Sequence, residues 1–568
     1  MNTIALAFSG GGFRAACFSL GTLSYLQHLR YNDRPLLENV KFISSTSGGS
    51  ITNLVFSRFH FHGIPFQKCY AFLNEKLDGE ALLARALKIL SDSSEWKKRP
   101  EKSRNIINAF SIAYDELLFT GDEWALFDKH NADTTLQEIC INSTEFTNGL
   151  PFRFQSAPPD NQPKGLVGNR FIYFKKTGLN TCSRLKLGDI LASSSCFPSG
   201  FEPMIFPEDY THAGVNAASL RAAISYKANR YTLPDDETAE ETETTATEAE
   251  MTPDAYNHFD LLKDEQFTNE VRFGIMDGGV ADNQAIDAFK KADARRKENK
   301  FDLFIATDVT SYLMDGYTLP LEKKKWYNIF SLNFIWISWL LLSLALPLML
   351  LFIKKPWTPW MYVAGTLSGL MLLPVVWLLF TFLKGIIAAK KEKNSWQLVF
   401  KKYKSVFLGV RIGALKQMLR SRAKSVFILA NDIYLKQIRR MYYDALYADP
   451  NYRDRFVQNA IYDLSLINFS EKDLSTDPFH PSAVLIAMSE KARTMGTTLW
   501  FDKKHQAAKM KESIISSGQF TCCYNLLKYL SKKEASGLTS GETALKQQLE
   551  KDWEKFNLQP DWLLNGPF

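Results

Sequence analysis

Twice near its start the chain runs an apolar stretch of strand length into a cluster of small residues and leaves it along a helix-compatible segment. Ile4 to Phe8 meets Ser9-Gly10-Gly11-Gly12-Phe13-Arg14, after which Ala16, Leu20, Leu23 and Leu26 recur at helical spacing. Val40 to Ile43 meets Ser44-Ser45-Thr46-Ser47-Gly48-Gly49-Ser50, with another apolar, helix-compatible segment behind it. Repeated strand, tight turn and helix is the pattern of a parallel α/β architecture. Ser47, at the tip of the second turn, would lift its hydroxyl over a helix N-terminus, as a nucleophile elbow requires. The elbow pattern Gly-x-Ser-x-Gly is met at Ser47 and Gly49, with Ser45 in place of the first glycine. Ser/Gly clusters are also ordinary turns, so this signal needs company.

The first turn has two readings. Gly10, Gly12 and Ala15 satisfy the dinucleotide pattern G-x-G-x-x-A. That site wants an acidic residue at the end of the next strand to hold a ribose, and the next strand ends in serines instead. Exposed backbone N–H groups at Gly10, Gly11 and Gly12 suit an oxyanion better. Farther along, Glu138 to Ser143 and Pro151 to Gln155 read as short strands around Asn148-Gly149, and Leu187 to Pro198 reads as a short helix ending at a proline. Val271 to Met276 reads as a strand ending in Asp277-Gly278-Gly279. Asp-Gly is common turn chemistry; the alternative puts Asp277 in the crevice with Ser47. Phe301 to Ala306 continues the sheet.

Length and charge bound the rest. At 568 residues the chain is longer than one core usually uses. A net charge of +7 does not call for nucleic acid. Seven cysteines without paired spacing suggest neither a disulfide framework nor a metal site, and point to a reducing compartment. No signal peptide is expected. Residues 207–270 change character, and Asp235 to Asp254 is almost entirely Asp, Glu, Thr and Ala, which reads as a solvated, flexible insertion.

In chain order, Gly10-Gly11-Gly12-Phe13-Arg14, Ser47 in its turn and Asp277-Gly278-Gly279 together resemble the patatin-like phospholipase family, and Leu187 to Pro198 is similar to a segment of that family lying between the Ser and the Asp. The resemblance covers roughly residues 1–310. It implies a three-layer α/β/α hydrolase with a mainly parallel sheet, and a Ser47/Asp277 dyad that needs neither histidine, metal nor cofactor. Gly10, Gly11 and Gly12 would form the oxyanion hole, with Arg14, Gly49, Gly278 and Gly279 supporting the motifs. The implied substrates are glycerophospholipids or lysophospholipids. Neutral acylglycerols, acyl thioesters, a ligand-activated membrane-degrading effector and a catalytically silent scaffold remain as alternatives.

Two long apolar stretches follow Lys323-Lys324-Lys325. Spans at about 330–353 and 361–383 are each expected to cross a hydrocarbon core of roughly 30 Å, joined by Lys354-Lys355-Pro356-Trp357-Thr358-Pro359-Trp360. The lysines flanking the pair put the large N- and C-terminal parts on the cytoplasmic side by the positive-inside rule, as in a bacterial inner-membrane protein. The expected division is therefore a catalytic domain at 1–315, a transmembrane hairpin at 316–393 and a mainly helical region at 394–568 that either completes the hydrolase layer or stands alone. The expected partners are lipid substrate and bilayer, no nucleic acid, and an unassigned homo-oligomer or regulatory partner.

Overall fold

The computed structural model describes residues 1–131, 134–158, 166–198, 200–226, 271–296, 300–311, 325–352, 358–367, 369–370, 373, 409–467, 470, 473, 475–566 and 568. Two units divide it: Met1–Leu313 together with Leu435–Phe568, and Met314–Tyr434. The acidic stretch Asp235 to Asp254 lies outside the described residues, as do 354–357, which begin the expected hairpin connection.

The first unit is built on one eleven-stranded sheet. Its strands are β1 Ile4–Phe8, β2 Val40–Thr46, β3 Glu138–Glu145, β4 Leu150–Gln155, β5 Val167–Gly168, β6 Ile172–Phe174, β7 Met204–Phe206, β8 Ile224–Tyr226, β9 Phe273–Asp277, β10 Leu303–Asp308 and β11 Phe456–Ala460. Their spatial order is β8-β6-β5-β4-β3-β2-β1-β10-β11, with β9 pairing β3 and β7 off this path. From β11 through β10, β1 and β2 to β3 every pairing is parallel, and the remaining pairings are antiparallel. The sheet is therefore mixed rather than mainly parallel, because tight connections such as the turn at Asn148-Gly149 return the chain antiparallel.

Alternation along β1 creates two cores. Ile4, Leu6 and Phe8 join one buried cluster with Phe18, Leu54 and Phe520, while Ala5 and Ala7 join another with Phe289, Phe304 and Tyr443. A strand buried on both sides needs cover on both faces. That cover includes α1 (Gly12–His28), α2 (Gly48–Phe61), α3 (Leu187–Ser195), α4 (Tyr434–Ala448) and α5 (Met510–Lys533). Helix α5 lies so close to α1 that a Cβ on Gly21 would overlap the Ile515 carbonyl, and one on Gly518 would overlap that of Phe18. The C-terminal residues thus complete the hydrolase layers and also supply β11. Asn459 of β11 is fully buried and donates to Thr22 Oγ1 at 2.9 Å.

In the second unit, helices run over Leu332–Leu351 and Ile412–Ile428. The expected two-helix transmembrane hairpin is not borne out: among the described residues no helix is long and apolar enough to cross a membrane. Much of the second expected span, including 374–383, lies outside the described residues. The two-span integral placement is corrected with the hairpin, and the cytoplasmic orientation argued from its flanking lysines loses its basis.

Candidate active site

Both Gly-rich turns stand at the carboxyl edge of neighbouring parallel strands, which is where open α/β sheets place their ligands. Phe8 at the end of β1 is in register with Ser45 of β2. Just beyond β2, Ser47 takes φ 52° and ψ −124° before α2 begins at Gly48. That strained corner turns the side chain away from the strand direction. Small neighbours are required because a Cβ on Gly48 would overlap the Gly12 carbonyl, so the two turns touch backbone to backbone.

Ser45, the residue that departs from the elbow pattern, is fully buried and has no positive φ that would call for glycine. Its hydroxyl accepts from Asn53 Nδ2 at 2.9 Å and bonds Ser50 Oγ at 3.0 Å. Ser50 Oγ in turn bonds Ser194 Oγ at 2.9 Å. Ser194, at the end of α3, accepts the Ser47 N–H at 3.0 Å and donates to the Asn142 carbonyl of β3 at 2.7 Å. This buried serine network fixes the Ser47 turn from beneath. Sequence reasoning singled out the segment around Ser194 but gave this residue no role; its only signal was the run Ser193-Ser194-Ser195 at a helix end.

Asp277 ends β9, opposite Ser143 of β3, and is buried. Its Oδ1 accepts the Gly279 N–H at 2.7 Å, and its carbonyl accepts from Thr144 Oγ1 at 3.0 Å. A Cβ on Gly10 would lie 3.1 Å from the Ser47 Cβ and one on Gly279 3.0 Å from Asp277 Oδ1, and both would overlap Asn283 Oδ1, so the Ser47 and Asp277 side chains border one small space. Burial pushes its pKa up to about 6, against the nearby Ser47 hydroxyl and the Gly279 N–H, which favour the charged form. Ser47 and Asp277, far apart in sequence, are thus brought together, with Gly278 and Gly279 forming the turn behind them. Gly49 sits against the end of β1, where a Cβ would lie 2.7 Å from the carbonyls of Phe8 and Ser9.

The first turn is held differently. The Gly10 N–H donates to the Asn283 carbonyl at 2.8 Å, and the Phe13 N–H donates to the Thr498 carbonyl at 2.9 Å. Gly11 and Gly12 between them have φ of 140° and 61°. Arg14 donates through Nη1 to the Met495 carbonyl at 2.5 Å, so it ties the loop to the C-terminal part of the unit. Asn283, Met495 and Thr498 were not anticipated, because backbone acceptors carry no sequence signal. Among the described residues no group of three or more His, Cys, Asp or Glu side chains is placed to hold a metal ion.

A family model described as patatin-like phospholipase matches residues 6–290, half of the chain, and takes in both turns and the Asp-Gly-Gly motif. The chain belongs to the patatin-like phospholipase family. As a member it is a lipid acyl hydrolase, an esterase acting on acylated lipids. No curated protein matches the chain. The family match ends before β10, which pairs β1 on its other side, before β11 beyond it, and before the segment that holds Arg14 in this patatin-like protein.

Proposed function

We propose that this patatin-like protein releases fatty acid from glycerophospholipids or lysophospholipids through a Ser47/Asp277 dyad. The observation that carries the reading is that the Ser47 side chain and the buried Asp277 carboxyl border one small space, with the carboxyl raised to about 6 by burial. At that value Asp277 is still mostly ionised at neutral pH, yet is a stronger base than an ordinary aspartate near 3.9. As Ser47 Oγ bonds the ester carbonyl carbon, its proton passes to Asp277. The tetrahedral intermediate collapses, the ester C–O bond breaks, and Asp277 returns the proton to the leaving alcohol oxygen. Water then repeats the cycle on the acyl-enzyme, giving fatty acid and free Ser47.

The negative charge on the carbonyl oxygen needs donors that are not already spent. The Gly10 N–H is committed to Asn283, which leaves the Gly11 and Gly12 amides, with the Gly48 amide at the start of α2, as the cradle. Each such donor contributes about 3–4 kcal/mol to transition-state stabilisation in other hydrolases. The test is fatty-acid release from mixed phospholipid and lysophospholipid vesicles by the purified chain, beside Ser47→Ala and Asp277→Asn. Loss of release by at least about 10³-fold in both variants is expected; release that survives Ser47→Ala would end the dyad reading.

A further inference from the structure

The side chain of Asn283 stands where the Gly-rich turn, the Ser47 turn and the Asp-Gly-Gly turn meet. Its main-chain carbonyl takes the Gly10 N–H, and its Nδ2 donates to Thr310 Oγ1, just beyond β10, at 2.8 Å. With Nδ2 held by Thr310, the Oδ1 end of the amide faces the dyad. A Cβ on Gly10 would overlap Asn283 Oδ1 while lying 3.1 Å from the Ser47 Cβ. One on Gly279 would lie 2.7 Å from Asn283 Oδ1 and 3.0 Å from Asp277 Oδ1. Asn283 is half-buried, and among the described residues no donor bonds its Oδ1. An unspent acceptor therefore borders the reaction space.

Two oxygens placed in this way suit a water molecule. Asp277 Oδ1 accepts the Gly279 N–H at 2.7 Å, and a carboxylate oxygen has room for a second donor. Bonds from O–H to oxygen run at about 2.7–2.8 Å, so one water can donate one hydrogen to Asp277 and the other to Asn283. Its lone pairs are then left to face an acyl carbon on Ser47 Oγ. An alcohol has a single O–H. Once that hydrogen is given to Asp277, the alcohol has none for Asn283 and turns a carbon toward the amide oxygen instead.

We propose that Asn283 is a catalytic residue of deacylation, which orients the attacking water through Oδ1 and so favours acyl transfer to water over transfer to an alcohol. The inference rests on the Ser47/Asp277 reading. The water oxygen bonds the acyl carbonyl carbon as one of its protons passes to Asp277. The bond from that carbon to Ser47 Oγ then breaks, and Asp277 returns the proton to Oγ. The second hydrogen stays on the attacking oxygen, held by Asn283, and leaves with the fatty acid. Acylation makes no such use of the amide, because the departing alcohol carries one O–H. Thr310 acts through Asn283 and is a positioning residue.

Asn283→Ala deletes the amide and keeps the main-chain carbonyl that holds Gly10. The experiment gives the full-length protein, Asn283→Ala and Thr310→Val a p-nitrophenyl acyl ester, first in buffer and then with a fixed concentration of methanol. Without methanol, kcat for Asn283→Ala should fall about tenfold more than kcat/KM, since deacylation is slowed and kcat/KM reports acylation. With methanol, the ratio of fatty acid to methyl ester should fall about tenfold or more in Asn283→Ala, and by a smaller factor in Thr310→Val. The ratio is set by each acyl-enzyme as it reacts, so a partly unfolded sample does not alter it. An unchanged ratio in Asn283→Ala would overturn the assignment whatever the rates do. No acylation of Ser47 in the unmodified protein would overturn the dyad reading, and this inference with it.

Discussion

The two turns at the carboxyl edge are near-twins in sequence and opposites in how they are held. The Ser47 turn is fixed by side chains beneath it: Ser45, Ser50, Asn53 and Ser194 form a buried hydrogen-bonded network with the Asn142 carbonyl. The Gly10 to Arg14 turn is fixed by backbone carbonyls from elsewhere in the chain, those of Asn283, Met495 and Thr498. Buried polar networks that are fully satisfied rigidify what they hold. Both turns therefore lean on segments distant in sequence, the Ser47 turn through side-chain hydroxyls and the Gly10 to Arg14 turn through backbone carbonyls.

Substitution at the contact between the turns should have the largest effect. Gly48→Ala puts a methyl into the Gly12 carbonyl, and neither partner is a flexible side chain. Overpacking of this kind costs about 1–3 kcal/mol, and lipid hydrolysis should fall by about 10³-fold, since both the serine and the cradle shift. Retained activity in a steady-state assay would show that the turns are not held in mutual register.

Ser194→Ala and Arg14→Ala separate the two modes of support. Ser194→Ala strands the Ser47 N–H and the Asn142 carbonyl in a buried site, a loss of about 1–3 kcal/mol. It should lower the melting temperature and reduce kcat by about tenfold. Arg14→Ala removes only the tie to Met495. It should leave the melting temperature nearly unchanged and speed hydrogen exchange at Phe13 without speeding it at Ser47. Equal exchange at both amides would erase the distinction.

The smallest effect is on stability against pH. Asp277 has a folded pKa of about 6 against 3.8 unfolded. The folded state therefore holds its proton more tightly, so this group favours folding at low pH and loses that contribution as pH rises from about 4 to 6. Asp277→Asn should remove that slope. The variant should be more stable than the parent at pH 7.5, by up to the order of 2–3 kcal/mol, with the gap closing near pH 4. Parallel denaturant midpoints at the two pH values would contradict this.

How far the sequence could be read follows from the same contrast. The strand-end turns that carry Ser47 and Asp277 were legible because such turns demand small residues at fixed spacing, and those residues are local. The ties from Asn283, Met495 and Thr498 were not, since any residue can offer a carbonyl. Strand β11, with Gln458 and Asn459 in its short run, does not read as a buried strand; Asn459 is tolerated there because Thr22 satisfies it. The mixed sheet was missed because β5 to β8 have at most three residues each, too few for any alternation to show. The hairpin was read from composition and length, which do not determine whether a continuous apolar helix of spanning length forms.

The central claim is that Asp277 activates Ser47, and it is tested most directly by the rate of fluorophosphonate labelling at Ser47 as a function of pH. Labelling located to Ser47 by peptide mapping is predicted to rise with pH through a midpoint of about 6 as Asp277 ionises, and to slow by about 10³-fold without that midpoint in Asp277→Asn. Labelling at Ser47 that is equally fast in Asp277→Asn, or that falls on another serine, would contradict the account.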